Sequence, residues 1–197
     1  MLADLLLLWL AALPLMGSPG PATLSTAAVG ASFGPRRGLP YLAGIIAGTA
    51  GVLALIATGV TAAILTVPAL ATAITLAAAA YILYLAWRIA TGPPLSRDNA
   101  EARAPAFPGG FFLALANPKA FAAIGAVYAG HSVIEGDLAV DAAVKVAALT
   151  LVIVLVNTTW LVFGAMIAAR LHDPVKARVT NIAFALLLVA SVGLALI

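Results

Sequence analysis

One uncharged stretch decides the fold. It runs from Leu39 to Trp87 with the sequence LPYLAGIIAGTAGVLALIATGVTAAILTVPALATAITLAAAAYILYLAW. A helix needs about 20 apolar residues, at about 1.5 Å each, to cross a bilayer, so this stretch is long enough for two crossings. Pro68 lacks a backbone donor and disfavours helix just before it, which predicts the turn between the two crossings at residues 66–68.

The composition of the whole chain supports a membrane protein. Hydrophobic residues make up 64% of the 197 residues and charged residues 9%, whereas soluble domains carry about 25% charged residues. With no cysteine and two histidines, we expect no disulfide, no metal site and no cofactor. No basic run with interleaved aromatics suggests nucleic-acid binding. No nucleophile–base pair lies within the apolar stretches, so we do not expect an enzyme.

The charge-free stretches predict an all-α integral membrane protein with six transmembrane helices. A polar segment at about 91–107 divides the chain into repeat one, about 1–90, and repeat two, about 108–197. Three helices in each half force opposite orientations, which predicts an inverted repeat within a single transporter domain. The expected spans are roughly 4–30, 39–65, 69–90, 108–130, 145–169 and 178–197.

Loop charges predict the orientation. If six helices alternate, eight of the ten basic residues fall on one side, including Arg36, Arg37 and Arg88. The positive-inside rule makes that side cytoplasmic, so both termini should lie outside the inner (plasma) membrane. Asp4 stands where a signal peptide carries a basic residue, and no small-residue cleavage site follows. We therefore expect the first segment to remain as a span.

Two short stretches interrupt the first predicted span of each half: Gly17-Ser18-Pro19-Gly20-Pro21 and Asn117-Pro118-Lys119. Ser18 and Asn117 suit an N-cap, and Pro19 and Pro118 suit the first helical position. The sequence therefore predicts that each span is broken near the midplane and that a half-helix restarts there. Free N–H groups at such ends attract an anion, for example a substrate carboxylate. The alternative is a plain proline kink in each helix.

Lys119 is the single charge deep inside a predicted span. A lysine at this depth costs about 3 kcal/mol, so it should face a cavity, a partner or a substrate. We interpret it as a carboxylate-binding or proton-exchanging group. The alternative is a structural role, in which its ammonium bonds to carbonyls that Pro118 frees.

Weaker polar signals complete the candidate site. Asn157 and Thr23 are expected to line the pathway or only to bond to neighbouring helix backbone. Thr158 and Thr159 are expected to be structural. The predicted substrate-binding residues are Ser18, Pro19, Gly20, Pro21, Thr23, Asn117, Pro118, Lys119 and Asn157.

These motifs resemble those of the LysE/RhtB family of amino acid exporters. The N-terminal part, from Ser18-Pro19-Gly20-Pro21 through Gly34 and Gly38-Leu39 to Gly44 and Gly48, is similar to that family's first signature. GFFLALANPKA at residues 110–120 resembles its central motif, and AYILYL at residues 80–85 resembles its third-helix motif. The resemblance implies six helices, export from the cytoplasm and use of the proton motive force.

We therefore predict an exporter that works by alternating access. No Asp or Glu lies deep in a predicted span, so a neutral or small polar amino acid is favoured over lysine or arginine. Two alternatives remain open: export of another solute, such as a metal ion or a quaternary amine, and a membrane scaffold that transports nothing. A homodimer is an expectation for a transporter of this size. Glycines 44, 48 and 51 should pack helices within one subunit rather than between two.

Overall fold

The computed structural model describes residues 1–59, 68–91, 104–169 and 174–196, and all regular structure within these ranges is α-helical. Alanine and leucine dominate the sequence of the helices, and both are strong helix formers. The helices are α1 (Leu2–Gly17), α2 (Pro21–Ala57), α3 (Pro68–Thr91), α4 (Phe107–Leu115), α5 (Pro118–Gly130), α6 (Leu138–Ala169) and α7 (Pro174–Leu196).

Helix α2 has two arms that meet at Gly34. Gly34 has a φ of 76° and a ψ of 167°, a conformation that a residue with a Cβ rarely adopts. A Cβ placed on Gly38 would lie 3.3 Å from Cγ1 of Val29, although nine residues of straight helix would separate the two by about 13 Å. The chain therefore turns back on itself at Gly34. The predicted connection between residues 30 and 39 is shorter than expected, a turn at Gly34, because Arg36 and Arg37 lie within the second arm.

Other predicted boundaries also move. The second span was expected to reach residue 65, but its helix ends at Ala57 and Gly59 follows with a φ of 74°. The fifth span was expected to begin at residue 145, but α6 begins at Leu138. Pro68 begins α3, whereas Thr66 and Val67 of the predicted turn lie outside the described residues. Most of the predicted loop, residues 92–103, also lies outside them.

Length and hydropathy identify the helices that can cross a membrane. Within the described ranges, α2 and α6 are each long and apolar enough to span a bilayer. Helices α4 and α5 together pass the same test as a pair bent by 59° at a short break. The prediction of an all-helical protein with apolar, membrane-spanning segments is therefore confirmed in its broad form.

The buried side chains form two clusters on opposite sides of the helix breaks. The first, which we call the basic-end cluster, lies toward Arg36 and Arg37 and includes Leu24, Tyr41 and Leu113. The second, the N-terminal cluster, joins α1 to the far parts of α2, α5 and α6. Its larger members are Leu8, Val52, Leu53, Ile124, Val127, Val133, Leu149, Val152, Ile153 and Val156.

Glycines bring helix backbones into direct contact at the basic end. A Cβ on Gly164 of α6 would overlap the carbonyl oxygen of Ala27, and one on Gly30 would overlap that of Leu161. Likewise, a Cβ on Gly44 would overlap the backbone of Phe107. The prediction that the glycines of the second span pack helices within one chain is confirmed for Gly44 and Gly48, which both lie against α4.

An ion pair between Asp141 and Lys145 lies in the first turns of α6. Asp141 and Lys145 are each 9% exposed at the side chain, and Lys145 Nζ lies 2.8 Å from Asp141 Oδ2. Lys145 also donates to the carbonyls of Tyr128 and His131, at 3.1 Å each. Asp141 Oδ1 accepts the N–H groups of residues 133 and 134, at 2.7 and 3.0 Å. The pair therefore attaches the segment after α5 to α6.

Removing one charge of this pair should destabilise the protein. In Asp141→Asn, Lys145 keeps its two carbonyl acceptors but loses the carboxylate that balances its charge. Because the pair lies near the end of a helix, we expect a loss of about 2 kcal/mol, between the values for exposed and for buried pairs. Thermal unfolding of the purified protein in detergent measures the change.

The matched control is Glu135→Gln, which removes an exposed carboxylate from the same segment. The double variant Asp141→Asn/Lys145→Met should recover part of the loss, because it leaves no unbalanced charge. The ion pair would have no structural role if Asp141→Asn melted at the same temperature as Glu135→Gln.

Candidate functional site

The break between α4 and α5 has the predicted geometry. Asn117 is the N-cap of α5, and its Oδ1 accepts the N–H of Lys119 at 3.1 Å. Pro118 occupies the first helical position, where its missing donor is not needed. The N–H of Ala120 bonds to the Asn117 carbonyl at 3.0 Å. Asn117 and Pro118 therefore end one half-helix and start the next, as their sequence indicated.

The break between α1 and α2 begins the new helix two residues later than predicted. Ser18 ends α1, and its hydroxyl donates to the Leu15 carbonyl at 2.9 Å. Gly20 is the N-cap of α2 and Pro21 is at its first turn, so the roles predicted for Ser18 and Pro19 are wrong. Thr23 Oγ1 accepts the Gly20 N–H at 2.9 Å. Both prolines of the motif fit a helix start, and Pro21 takes that position because Ser18 remains bonded to α1.

Lys119 connects the two breaks. Its ammonium donates to the carbonyl of Ser18 and, at 3.3 Å, to that of Pro19. These carbonyls follow the C-terminal end of α1, where the helix dipole favours a positive charge. In the structural role considered for Lys119, the ammonium would bond to carbonyls that Pro118 frees. The carbonyls that bind it belong instead to the break between α1 and α2. A Cβ on Gly20 would lie 2.5 Å from Lys119 Cδ, so a glycine here allows the lysine stem to pass.

A further donor reaches the first break from α6. The indole Nε1 of Trp160 donates to the Gly17 carbonyl at 3.0 Å. Together with Lys119 and Thr23, it provides partners for the carbonyls that the break removes from the helix ladder. Sequence reasoning missed Trp160, because nothing in its local sequence relates it to a motif 143 residues away.

A cavity lies where the two breaks meet α6. Its space that is free of atoms, part of which is open solvent, totals about 420 Å³. It lies beside the N-terminal cluster, on the side of the breaks away from Arg36 and Arg37. The lining residues are Met16, Gly20, Ala22, Thr23, Thr49, Asn117, Lys119, Ala120, Ala123, Ile124, Ile153, Val156 and Asn157.

Asn157 places an unpaired acceptor in this cavity. Its residue is 5% exposed, and its Nδ2 donates to the Ile153 carbonyl at 2.8 Å. Its Oδ1 is buried and has no hydrogen-bond partner among the described residues. An unpaired buried acceptor destabilises the empty site. A donor that reached this oxygen would satisfy it.

The structure brings five of the nine predicted site residues to the cavity: Gly20, Thr23, Asn117, Lys119 and Asn157. The other four, Ser18, Pro19, Pro21 and Pro118, belong to the helix ends around the cavity and do not line it. Thr158 and Thr159 are exposed on α6 and do not line the cavity. Sequence reasoning missed Thr49, a buried hydroxyl that bonds to the Ile45 carbonyl at 2.8 Å. The sequence signal that could have identified it is that Thr49 is the single threonine in the apolar second arm of α2.

The cavity lining combines a positive charge with a polar amide. Lys119 supplies the charge, Asn157 carries an unpaired acceptor, and most other lining residues are apolar. Two helix N-termini, those of α2 and α5, begin at the same cavity. Such an arrangement of few polar groups in an apolar cleft is typical of a site for a small molecule.

One of three comparisons with known proteins identifies a family. No curated protein and no solved structure gives a significant match. The family model for LysE type translocators matches residues 13–197, which confirms the resemblance carried by the two proline motifs. The chain belongs to the family of LysE type translocators.

Proposed function

We propose that this protein exports neutral or small polar amino acids from the cytoplasm by alternating access. Membership of a translocator family supports the export of a solute. The observation that carries the proposal is that Lys119 and Asn157 line the same cavity, and that Oδ1 of Asn157 has no hydrogen-bond partner among the described residues. These two groups complement the carboxylate and the ammonium that amino acids share.

The carboxylate would bind at the N-terminal end of α2. Lys119 uses its ammonium on two carbonyls, and an ammonium has three N–H donors, so one remains for the substrate. The N–H groups of Ala22 and Thr23 lie in the first turn of α2, where the helix supplies no acceptor. Both residues line the cavity. A carboxylate would therefore meet a positive charge and a helix N-terminus together.

The ammonium would bind to Asn157, and the side chain would lie along the apolar wall. Ala120, Ala123 and Ile124 on α5 face Ile153 and Val156 on α6. The described lining holds no carboxylate, so a substrate with a cationic side chain would bury its second charge without a partner. This favours substrates such as threonine or leucine over lysine or arginine.

We propose six spans for this function: α1 with the first arm of α2, the second arm of α2, α3, α4 with α5, α6 and α7. The two breaks then fall in the first span of each half, which supports a pair of inverted repeats, about 1–90 and about 108–197. Basic residues such as Arg36, Arg37 and Arg88 would lie on the cytoplasmic face of the inner membrane, with both termini outside. The proton motive force would drive export, with Lys119 as the titratable group in the cavity.

The variant Asn157→Leu tests the role of the unpaired acceptor. The change keeps the approximate volume and removes Oδ1, so the substrate ammonium loses its partner. Hydrogen bonds to charged groups contribute about 1.5–3 kcal/mol, which predicts export about 10- to 100-fold slower. Efflux of leucine or threonine from preloaded cells, at matched amounts of protein in the membrane, measures the effect.

Thr158→Val is the matched control, because it removes a polar group from the next residue on the exposed side of α6. It should leave efflux unchanged. Because the unpaired Oδ1 destabilises the empty cavity, Asn157→Leu should leave the melting temperature unchanged or raise it. Normal efflux in Asn157→Leu would exclude this residue from the substrate site.

A further inference from the structure

Tyr41 carries a buried hydroxyl without a partner. The residue lies in the second arm of α2 and is completely buried. Its phenolic oxygen has no hydrogen-bond partner among the described residues. The polar side chains that face it are Ser25 and Tyr81, and the Ser25 hydroxyl already donates to the Ala22 carbonyl at 2.9 Å. The Tyr41 hydroxyl is therefore buried near two other hydroxyl groups and makes no hydrogen bond within the described residues.

Tyr41 lies on the side of the breaks opposite to the cavity. It belongs to the basic-end cluster, whereas the cavity borders the N-terminal cluster. At the basic end the helices touch backbone to backbone, since Gly110 lies against Tyr41 itself and Gly164 against Ala27. Among the described helices, the basic end is therefore closed by these contacts. A solute that passes between the cavity and the basic end must separate these contacts.

We propose that the Tyr41 hydroxyl biases the protein toward opening at its basic end. The inference rests on the alternating access of the proposed function. In the structure described here the hydroxyl is removed from water and unpaired, which destabilises this state. When the basic end opens, water or the passing solute provides a partner. A polar group that has a hydrogen-bond partner in only one of two states shifts the equilibrium toward that state. The size of the shift is the difference in the free energy of the group between the two states.

The test compares the two states directly in Tyr41→Phe. The chain contains no cysteine, so single cysteines report on each end without a background signal. Ala123→Cys places a thiol in the cavity, and Ser32→Cys places one in a buried position toward the basic end. A water-soluble maleimide labels the purified protein in nanodiscs, where both faces are accessible and no substrate is needed. The measured quantity is the ratio of the two labelling rates.

We expect Tyr41→Phe to shift this ratio about tenfold in favour of Ala123→Cys, which corresponds to about 1.4 kcal/mol. The slower labelling of Ser32→Cys reports the loss of the state that is open at the basic end. Tyr84→Phe is the matched control, because it removes the same hydroxyl from a residue that is 49% exposed on α3. It should leave the ratio unchanged.

An unchanged ratio in Tyr41→Phe would overturn the inference, since the hydroxyl would then be equally well satisfied in both states. A shift in the opposite direction would also overturn it. If Ser32→Cys never reacts in the parent protein, no second state opens at the basic end, and alternating access fails together with the role of Tyr41. If the ratio shifts but the protein exports no amino acid, the inferred role of the Tyr41 hydroxyl would be supported and the proposed substrate would be wrong.

Discussion

Export should fall at least about 100-fold when Lys119 is replaced by methionine. The change keeps an unbranched stem beside Gly20 and removes the ammonium that would bind the substrate carboxylate. It also leaves the carbonyls of Ser18 and Pro19 without this donor. A charged partner of this kind contributes about 3 kcal/mol, which is about a 100-fold change in rate. Efflux of a neutral amino acid, divided by the amount of protein in the membrane, measures the effect.

Two further measurements separate binding from structure at Lys119. Lys176→Met, at an exposed position on α7, controls for the loss of a positive charge and should export normally. The melting temperature of Lys119→Met shows how much the two break carbonyls depend on the ammonium. A variant that melts early but exports in proportion to its folded fraction would assign Lys119 a structural role only. If Lys119→Met exports at the parent rate, Lys119 neither binds the substrate nor stabilises the break.

The second large effect is expected at the contact between α2 and α6. A Cβ on Gly164 would overlap the carbonyl oxygen and carbon of Ala27, and these backbone atoms cannot rotate away. In Gly164→Ala the two helices must separate, and such overpacking costs about 3 kcal/mol. Because Thr23 and Asn157 lie on the same two helices beside the cavity, export should fall as well. Thermal unfolding in detergent and efflux measure the two effects.

Gly125→Ala is the matched control for this effect. Gly125 lies in the apolar helix α5, and no atom would be within 4 Å of an added Cβ. Alanine is the better helix former by about 1 kcal/mol, so this variant should melt at the parent temperature or slightly above it. Equal melting temperatures for Gly164→Ala and Gly125→Ala would contradict the close contact between α2 and α6.

The residue preferences at a helix N-terminus were sufficient to predict the break between α4 and α5. They were ambiguous for the break between α1 and α2. Asn117 followed by one proline allows a single N-cap, and the structure has it there. In Ser18-Pro19-Gly20-Pro21 either proline fits the first helical position, and Ser18 also fits the end of α1. The choice depends on whether the serine hydroxyl bonds to the helix before it or the helix after it. The sequence does not contain that information.

Contacts between distant segments explain the other differences. Lys119 was recognised as a buried charge in need of partners, but its partners lie about 100 residues earlier in the chain. The fifth span was expected to begin at residue 145, but Asp141 and Lys145 neutralise each other as an i, i+4 pair and the helix begins at Leu138. Gly30 and Gly164 form no sequence motif together. These features depend on helix packing, which periodicity does not encode.

Efflux from cells preloaded with mixed amino acids tests the central claim most directly, comparing the intact protein with an empty vector. We expect neutral amino acids such as threonine and leucine to leave the cells faster with the intact protein than with the empty vector. Arginine should leave at the same rate with both. Faster export of arginine than of threonine or leucine would contradict the proposed substrate class. If no amino acid left faster than with the empty vector, the proposal that this protein exports amino acids would be wrong.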